Sequence, residues 1–587
     1  MQCAFEVSWE VCNKVGGIYT VIESKAEYVK RHFEEYYFIG PYFPDKLADF
    51  EEQAPPKDFR QIFEILKTKN ILCHYGAWTA VHGSCILIDF SELMKNKNKI
   101  KGDLWQEYKI DSLSAGEDFD EPVTWATAAG MLLEEISNKW QNKKIIIHFH
   151  EWLSGAALLY LKKKNIKGAT VFATHSTVLG RAIADANKPL YSMLEAIDPE
   201  KEAYQYNIAA KHQTEKASAL NADVFTTVSK ITALETEYLL GRKADLILIN
   251  GVNFSEFPDL EAIPQEHKLN KERIKEFLLA YFFPYYTFDI ENCLFYFISG
   301  RYEFHNKGID IFIEGLKRLN EKLKKEKSKK RVVVFFFIPV ATKSKDVEVL
   351  ENNALTKRIE KFIEDNLPEI RKNLLYKAIS GTLSNERIFS ETFVAEIKKL
   401  VFSLKKKGLP PITIYELVDG QNDIILNSLQ NAGLTNKEED RIKVIYYGSY
   451  LSSSDGLLGL DYYSAIWGCH LGVFPSYYEP WGYTPIESAA HGVPSITTDL
   501  SGFGKFVEEN LKSNKGIFVL KRESKSDDEV IDELADYLYR YTNLEKEERI
   551  NSKIVAENFV RKLSWENLIS EYIRAYKLSL ARAYGKS

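Results

Sequence analysis

The stretch 472–492, Gly-Val-Phe-Pro-Ser-Tyr-Tyr-Glu479-Pro-Trp-Gly-Tyr483-Thr484-Pro485-Ile-Glu487-Ser-Ala-Ala-His-Gly492, constrains this chain more than any other. An apolar run passes into a turn rich in aromatics, Pro and Gly, and a short helical segment follows. The spacing predicts the helix start, with Thr484 as N-cap, Pro485 at the first helical position and Glu487 as the acid of a capping box. Gly492 and Pro494 then stop it. A strand that delivers its turn onto a helix N-terminus presents free backbone N–H groups and the positive end of a dipole, which suits a phosphate. Glu487 has an ordinary reading as the capping acid. Glu479, between Tyr478 and Pro480 in the turn, has no such structural role and is the first candidate for chemistry.

The string resembles the Glu-Pro-x-Gly-x-x-x-x-Glu signature of retaining glycosyltransferases of the GT-B fold. Its longer form, Ser-Tyr-Tyr-Glu-Pro-Trp-Gly-Tyr-Thr-Pro-x-Glu, is similar to the glycogen synthases of the fungal and animal type, the third glycosyltransferase family. The resemblance implies an α/β protein of two Rossmann-like, doubly wound domains facing across a cleft, with a helical insertion in the second. It places an acceptor domain at 1–253, joined by a C-terminal helix at about 565–587. The nucleotide-sugar domain is then 254–564, with the insertion at about 342–411.

Length agrees, because 587 residues exceed one ordinary core. Lys and Arg total 77 against 83 Asp and Glu, a net charge of −6, which does not point to a nucleic-acid partner. The first residues carry no basic segment followed by an apolar run, so no signal peptide is expected. The longest apolar run, 332–341, is far short of the roughly 20 residues a membrane helix needs. Six scattered cysteines without a Cys-x-x-Cys pair read as reduced thiols of a cytoplasmic protein.

Taken in order, a first strand is expected at 6–9, and Lys14-Val-Gly16-Gly17-Ile-Tyr19 then opens a helix. Adjacent glycines let a backbone approach a ligand closely, and the lysine adds charge suited to a phosphate. Apolar runs at 71–75, 85–90, 144–149, 170–174, 224–228 and 245–249 alternate with helical stretches, the pattern of a parallel doubly wound sheet whose ligands bind beyond the carboxyl ends of its strands. The run 144–149 ends in His148-Phe-His150-Glu151. A metal reading of that pattern is set aside, since no further Cys/His set lies nearby; the resemblance has His150 donating to a sugar hydroxyl. It also places Arg181, in Thr-His175-Ser-Thr-Val-Leu-Gly180-Arg181, toward the donor phosphate and the acceptor cleft. Residues 253–292 lose the alternation and read as a hinge region.

A second alternating series begins at 293–299, followed by Gly300-Arg301-Tyr-Glu-Phe-His-Asn-Lys307-Gly308. Two cations six residues apart between a strand and a helix form a clamp for a diphosphate leaving group, and the family shares the pattern. After the strand 332–340 come the helical and charged residues 342–411, too long for a loop. By resemblance they are the insertion that makes subunit contacts, so a homo-oligomer, dimer to tetramer, is implied. The series resumes at 412–417 and 442–447.

The resemblance then implies the reaction: transfer of glucose from UDP-glucose to the non-reducing 4-hydroxyl of glycogen or another α-1,4-glucan, with retention and without metal or cofactor. Glu479 stabilises developing positive charge on the glucose, Glu487 binds the ribose and Tyr462 stacks on the uracil. Lys14, Gly16, Gly17, Arg301, Lys307, Tyr483 and Thr484 complete the donor site. Tyr462 suits either base, so ADP-glucose or another glucoside acceptor stays open, as does a non-catalytic glucan-binding protein. Members activated by glucose 6-phosphate carry an arginine-rich helix, whereas 551–564 holds only Lys553, Arg561 and Lys562. Weak or absent activation is therefore expected.

Overall fold

The computed structural model describes residues 3–257, 261–381, 388–512 and 515–585. Parts of the expected domains at 1–2, 258–260, 513–514 and 586–587, and 382–387 of the expected insertion, lie outside the described residues.

In the first half, nine strands make one sheet: β1 (Cys3–Val7), β2 (Glu35–Pro41), β3 (Phe50–Glu52), β4 (Leu72–Trp78), β5 (Gly83–Asp89), β6 (Ile145–His150), β7 (Ala169–Thr174), β8 (Val224–Thr227) and β9 (Leu246–Ile247). Their order is β3-β4-β5-β2-β1-β6-β7-β8-β9. The pairs from β5 through β2, β1 and β6 to β9 are parallel. The strand expected at 71–75 instead lies antiparallel between β3 and β5, where a short hairpin closes that edge. Strands such as Ile-Ile-Ile-His-Phe-His (β6) are buried along their whole length, because helices cover both faces of a parallel sheet. Those that matter to the site are α1 (Gly17–Lys30), α2 (Glu151–Lys163), α3 (Val178–Asp185), α4 (Ala209–Asn221) and α5 (Lys230–Leu239).

The second half begins with α6 (Ile263–Phe282), and this corrects the reading of 253–292 as a hinge. Tyr281, Phe282 and Tyr286 are buried against Phe295 and Phe335 of the second sheet, so the aromatic run is core. The strands here are β10 (Leu294–Ser299), β11 (Val332–Phe337), β12 (Thr342–Lys345), β13 (Tyr415–Leu417), β14 (Ile442–Tyr447), β15 (Leu471–Val473), β16 (Ser495–Thr498) and β17 (Ile517–Leu520). Six of them form a parallel sheet in the order β14-β11-β10-β15-β16-β17, with α7 (Ile309–Lys325) packed on it. The strand expected at 412–417 meets that sheet only at one parallel bridge, Thr413 to Tyr446 of β14. It shortens to β13 and pairs antiparallel with β12, and the two frame α8 (Val347–Ile379) and α9 (Glu391–Leu404). These helices leave Tyr376, Ile379 and Phe402 mostly exposed, at 74%, 80% and 84%.

The chain then runs through α10 (Tyr462–Trp467), α11 (Tyr483–Ala490), α12 (Lys546–Val560) and α13 (Trp565–Tyr584). The last helix returns to the first sheet. Trp565 and Tyr576 are buried with Val21 and Ile22, and the Trp565 indole N–H donates to the Ser24 hydroxyl at 2.9 Å. The two passages between the halves lie side by side: Val252 pairs with Ser564, and the Val252 N–H donates to the Leu563 carbonyl at 2.9 Å. No helix among the described residues is long and apolar enough to cross a membrane.

Candidate active site

Carboxyl ends of both parallel sheets converge on one charged cleft. From the second half come the turn after β10, carrying Arg301, Glu303 and Lys307, and the turn after β15, carrying Tyr478 and Glu479. The two turns interlock at Gly308, whose φ is +67° and at which a Cβ would sit 2.0 Å from the Pro475 carbonyl oxygen. Only glycine permits that approach. It seats Lys307 against the second turn, and the Lys307 ammonium forms an ion pair with the Glu479 carboxylate.

Two arginines, one from each half, converge on a single carboxylate. Glu303 lies 2.9 Å from the Arg301 guanidinium and 3.8 Å from that of Arg181 on α3. The Arg181 guanidinium also donates to the Ser176 hydroxyl at 3.3 Å and stacks 5.6 Å from the Tyr478 ring centroid. Cations gathered onto one replaceable carboxylate are the equipment for receiving a phosphate.

The helix after Glu479 corrects the expected cap. α11 starts at Tyr483, not after Thr484, and Gly482 at φ +107° is its N-cap with no side-chain hydrogen bond. A left-handed glycine starts the helix two residues early, leaving Thr484 in its first turn and freeing Glu487 from capping. The first-turn N–H groups are therefore left for a ligand. The Glu487 carboxylate has no hydrogen-bond partner among the described residues, and burial pushes its pKa up to about 7. It lies near Tyr462 and Tyr483. The Tyr462 hydroxyl pairs with that of Ser299 at 2.9 Å, and the Tyr483 hydroxyl donates to the Gly251 carbonyl at 3.3 Å.

The glycine loop is not empty-handed. Glu10, which sequence reasoning passed over, accepts from the Gly16 N–H at 2.9 Å and the Tyr19 N–H at 2.8 Å, so its carboxylate caps α1. Burial raises its pKa, and Arg301 across the cleft lowers it in part. Gly16, Gly17 and Lys14 are exposed, the Lys14 amine resting 5.3 Å from the Tyr19 ring centroid.

His150 stands apart from expectation. It is 2% exposed, and both ring nitrogens are engaged inside the protein. Its Nε2 lies 2.6 Å from Glu6 Oε1, and its Nδ1 lies 2.9 Å from His175 Nε2. The carboxylate can only accept, so the network assigns the His150 proton to Nε2 and makes His175 donate to Nδ1, leaving His175 Nδ1 as an acceptor. Burial lowers the pKa of both rings, in keeping with neutral imidazoles. His150 thus supports His175, which is half-buried at the end of β7 and had been quoted in its motif without a role. Glu6, His148 and His150 could hold a metal ion by their spacing, but the buried Lys25 ammonium is ion-paired with Glu6 and the Tyr36 hydroxyl donates to the same carboxylate.

A family model described as glycogen synthase matches residues 6–587. The chain is 37% identical to the liver glycogen [starch] synthase of Mus musculus over 99% of its own length and 83% of that protein's. It is 36% identical to glycogen [starch] synthase isoform 2 of Saccharomyces cerevisiae, over 99% of this chain and 86% of that one. Among solved structures, the catalytic domain of starch synthase IV from Arabidopsis thaliana, bound to ADP and acarbose, superposes with a TM-score of 0.53 at 12% identity, covering 99% of both chains. An α,α-trehalose 6-phosphate synthase from Burkholderia multivorans superposes at 0.51 and 10% identity, over 99% of this chain and 97% of that one. These likenesses show the fold, GT-B.

Proposed function

From the premise that the chain belongs to the glycogen synthase family, we propose that it moves glucose from UDP-glucose to the non-reducing 4-hydroxyl of an α-1,4-glucan, with retention at the anomeric carbon. Glucosyl transfer in glycogen synthesis is the activity of the family; the donor base, the acceptor position and the residue roles are our reading.

The Lys307–Glu479 pair beside the Arg181–Glu303–Arg301 cluster carries that reading. Breaking the anomeric bond puts negative charge on the departing diphosphate and positive charge on the sugar. Arg301, Lys307 and Arg181 answer the first, together with the uncapped N–H groups of α11 at Tyr483 and Thr484. Glu479 answers the second, from the far side of the Lys307 ammonium. The diphosphate takes over the arginines from Glu303 and meets the Lys14, Gly16 and Gly17 loop, where Glu10 fixes the loop's shape. Glu487 accepts from the ribose hydroxyls and Tyr462 faces the base. In place of His150, His175 offers the acceptor nitrogen to a sugar hydroxyl, with the Glu6–His150 pair holding its ring. Attack from the leaving-group face, with the departing phosphate taking the acceptor's proton, retains configuration. The cleft between the two halves keeps water from the donor.

We take the passages at 252 and 564 as the hinge between domains 1–253 plus 565–587 and 254–564. The exposed apolar side chains of α8 and α9 support self-association through the insertion. Six free cysteines support a cytoplasmic setting. Activation by glucose 6-phosphate is read as weak or absent, since Arg561 is held by Glu557 and burial beside Lys271 and Arg549 pushes the Lys553 ammonium down to about 7. The test is nucleoside diphosphate release from UDP-glucose and from ADP-glucose, with glycogen, with and without the effector. Turnover with UDP-glucose alone, little changed by the effector, is expected; turnover with ADP-glucose alone overturns the donor assignment, and strong activation overturns the reading of Lys553.

A further inference from the structure

Tyr478 belongs by chain to the second half, yet its ring is buried in an apolar cluster of the first, among Leu179, Ile183, Leu190 and Leu239. It is 2% exposed, so it sits as a knob in a socket built by the opposite half. At the bottom of the socket is Glu235 of α5, itself fully buried. The Tyr478 hydroxyl donates to Glu235 Oε2 at 3.2 Å. The same carboxylate accepts from Thr177 at 2.5 Å and from Tyr191 at 3.0 Å.

Thr177 and Tyr478 are not arbitrary partners. Thr177 is the N-cap of α3, accepting from the Gly180 N–H at 3.1 Å, and α3 carries Arg181. Tyr478 directly precedes Glu479 and lies under the Arg181 guanidinium. One carboxylate therefore holds the helix that aims Arg181 and the turn that aims Glu479, which come from opposite halves of the molecule.

We propose that Glu235 and Tyr478 form an interdomain latch that holds the two halves closed and sets Arg181 and Glu479 in register; the proposal rests on the glucosyltransferase reading above. Glu235 is a positioning residue and touches neither sugar nor phosphate. Its function follows from its acceptor count: all three hydroxyls donate to its two oxygens. Because burial pushes its pKa up to about 7, the fully accepting carboxylate is the form above neutral pH. A carboxamide offers one acceptor oxygen, so at least one hydroxyl must turn round to accept or lose its partner. The socket supplies the closing force, since seating the knob takes a large aromatic ring out of water. The hydroxyl pair supplies register, because a buried hydroxyl is satisfied only when the knob is fully seated. Releasing the latch lets water into the donor site, so donor is consumed without chain extension.

The test compares wild type, Tyr478→Phe and Glu235→Gln for UDP released per glucosyl unit incorporated into glycogen, and for radius of gyration in solution scattering without ligand. The expected result is a ratio near one for wild type and a severalfold higher ratio for both variants, with kcat reduced more than KM for the donor is raised, and a larger radius for both. Tyr478→Phe keeps the ring and the packing, so a general loss of folding is separated by its retained Tm. A ratio and radius equal to wild type's in Tyr478→Phe overturns the latch while leaving the glucosyltransferase reading intact. A wild type that transfers no glucose overturns that reading instead, and the scattering comparison still decides the latch.

Discussion

Lys307 and Glu479, 172 residues apart in sequence, form an ion pair at the meeting of two turns from one parallel sheet. Both side chains are largely enclosed, at 16% and 18% exposure, so the pair is shielded from solvent more than a surface bridge is. In the proposed reaction the lysine serves the departing diphosphate and the carboxylate serves the sugar.

Replacing Lys307 by Met removes the charge and keeps the length. On the scale of losing one preorganised charge-stabilising group, kcat falls by about 10²–10³. Steady-state kinetics with UDP-glucose and glycogen check this. The KM for glycogen is expected to change little, because Lys307 faces the donor. A variant within a few-fold of wild type contradicts the clamp.

The proposed ribose role of Glu487 predicts that donor binding depends on pH. Its carboxyl has an ordinary value near 4.5 and is pushed up to about 7 by burial, so it is mostly protonated at pH 6 and mostly ionised at pH 8. Only the ionised form accepts from both ribose hydroxyls, so KM for the donor falls as pH rises from 6 to 8. The stability effect runs the other way. Between these two values the folded protein holds more protons than the unfolded chain, so this group's contribution is present below the lower value and is lost as pH rises through 7. Glu487→Gln is expected to flatten the KM profile; an unchanged profile contradicts the ribose assignment.

How much of this was legible beforehand follows from what each signal depends on. The apolar runs of β6, β7 and β10 gave their strands away because strands of a sheet covered on both faces carry almost no polar residues. β2 was passed over, since Glu35-Tyr-Tyr-Phe mixes a charge and tyrosines into the run, and its identity rests on pairing with β1 and β5. The spacing of Thr484 and Glu487 fitted a capping box well and was wrong, because the φ of Gly482 decides the start and a spacing template does not contain it. Glu479, Lys307, Arg181 and Arg301 were named from motifs, and the fold gathers them around two carboxylates. Glu303 and His175 stood inside the quoted motifs, but the bonds of Glu303 to Arg181, of His150 to Glu6 and His175, and of Glu10 to the Gly16 and Tyr19 N–H groups depend on tertiary contacts that no local pattern carries.

The insertion offers a prediction about assembly. Ile379 and Phe402 are among the most exposed large apolar side chains of the described residues, on α8 and α9, and the proposed self-association would cover them. The double variant Ile379→Glu, Phe402→Glu is expected to elute from size exclusion with light scattering as a smaller species than wild type, with Tm nearly unchanged. A wild type that is already monomeric, or a variant with unchanged mass, contradicts the contact.

The central claim is that Glu479 meets the charge that develops on the donor glucose. The most direct measurement is single-turnover transfer of glucose from UDP-glucose to glycogen by Glu479→Gln, which preserves shape and removes the charge. The account predicts a rate lowered by about 10²–10³, or roughly 3–4 kcal/mol of transition-state stabilisation, with donor affinity within a few-fold of wild type. A transfer rate within a few-fold of wild type would contradict it.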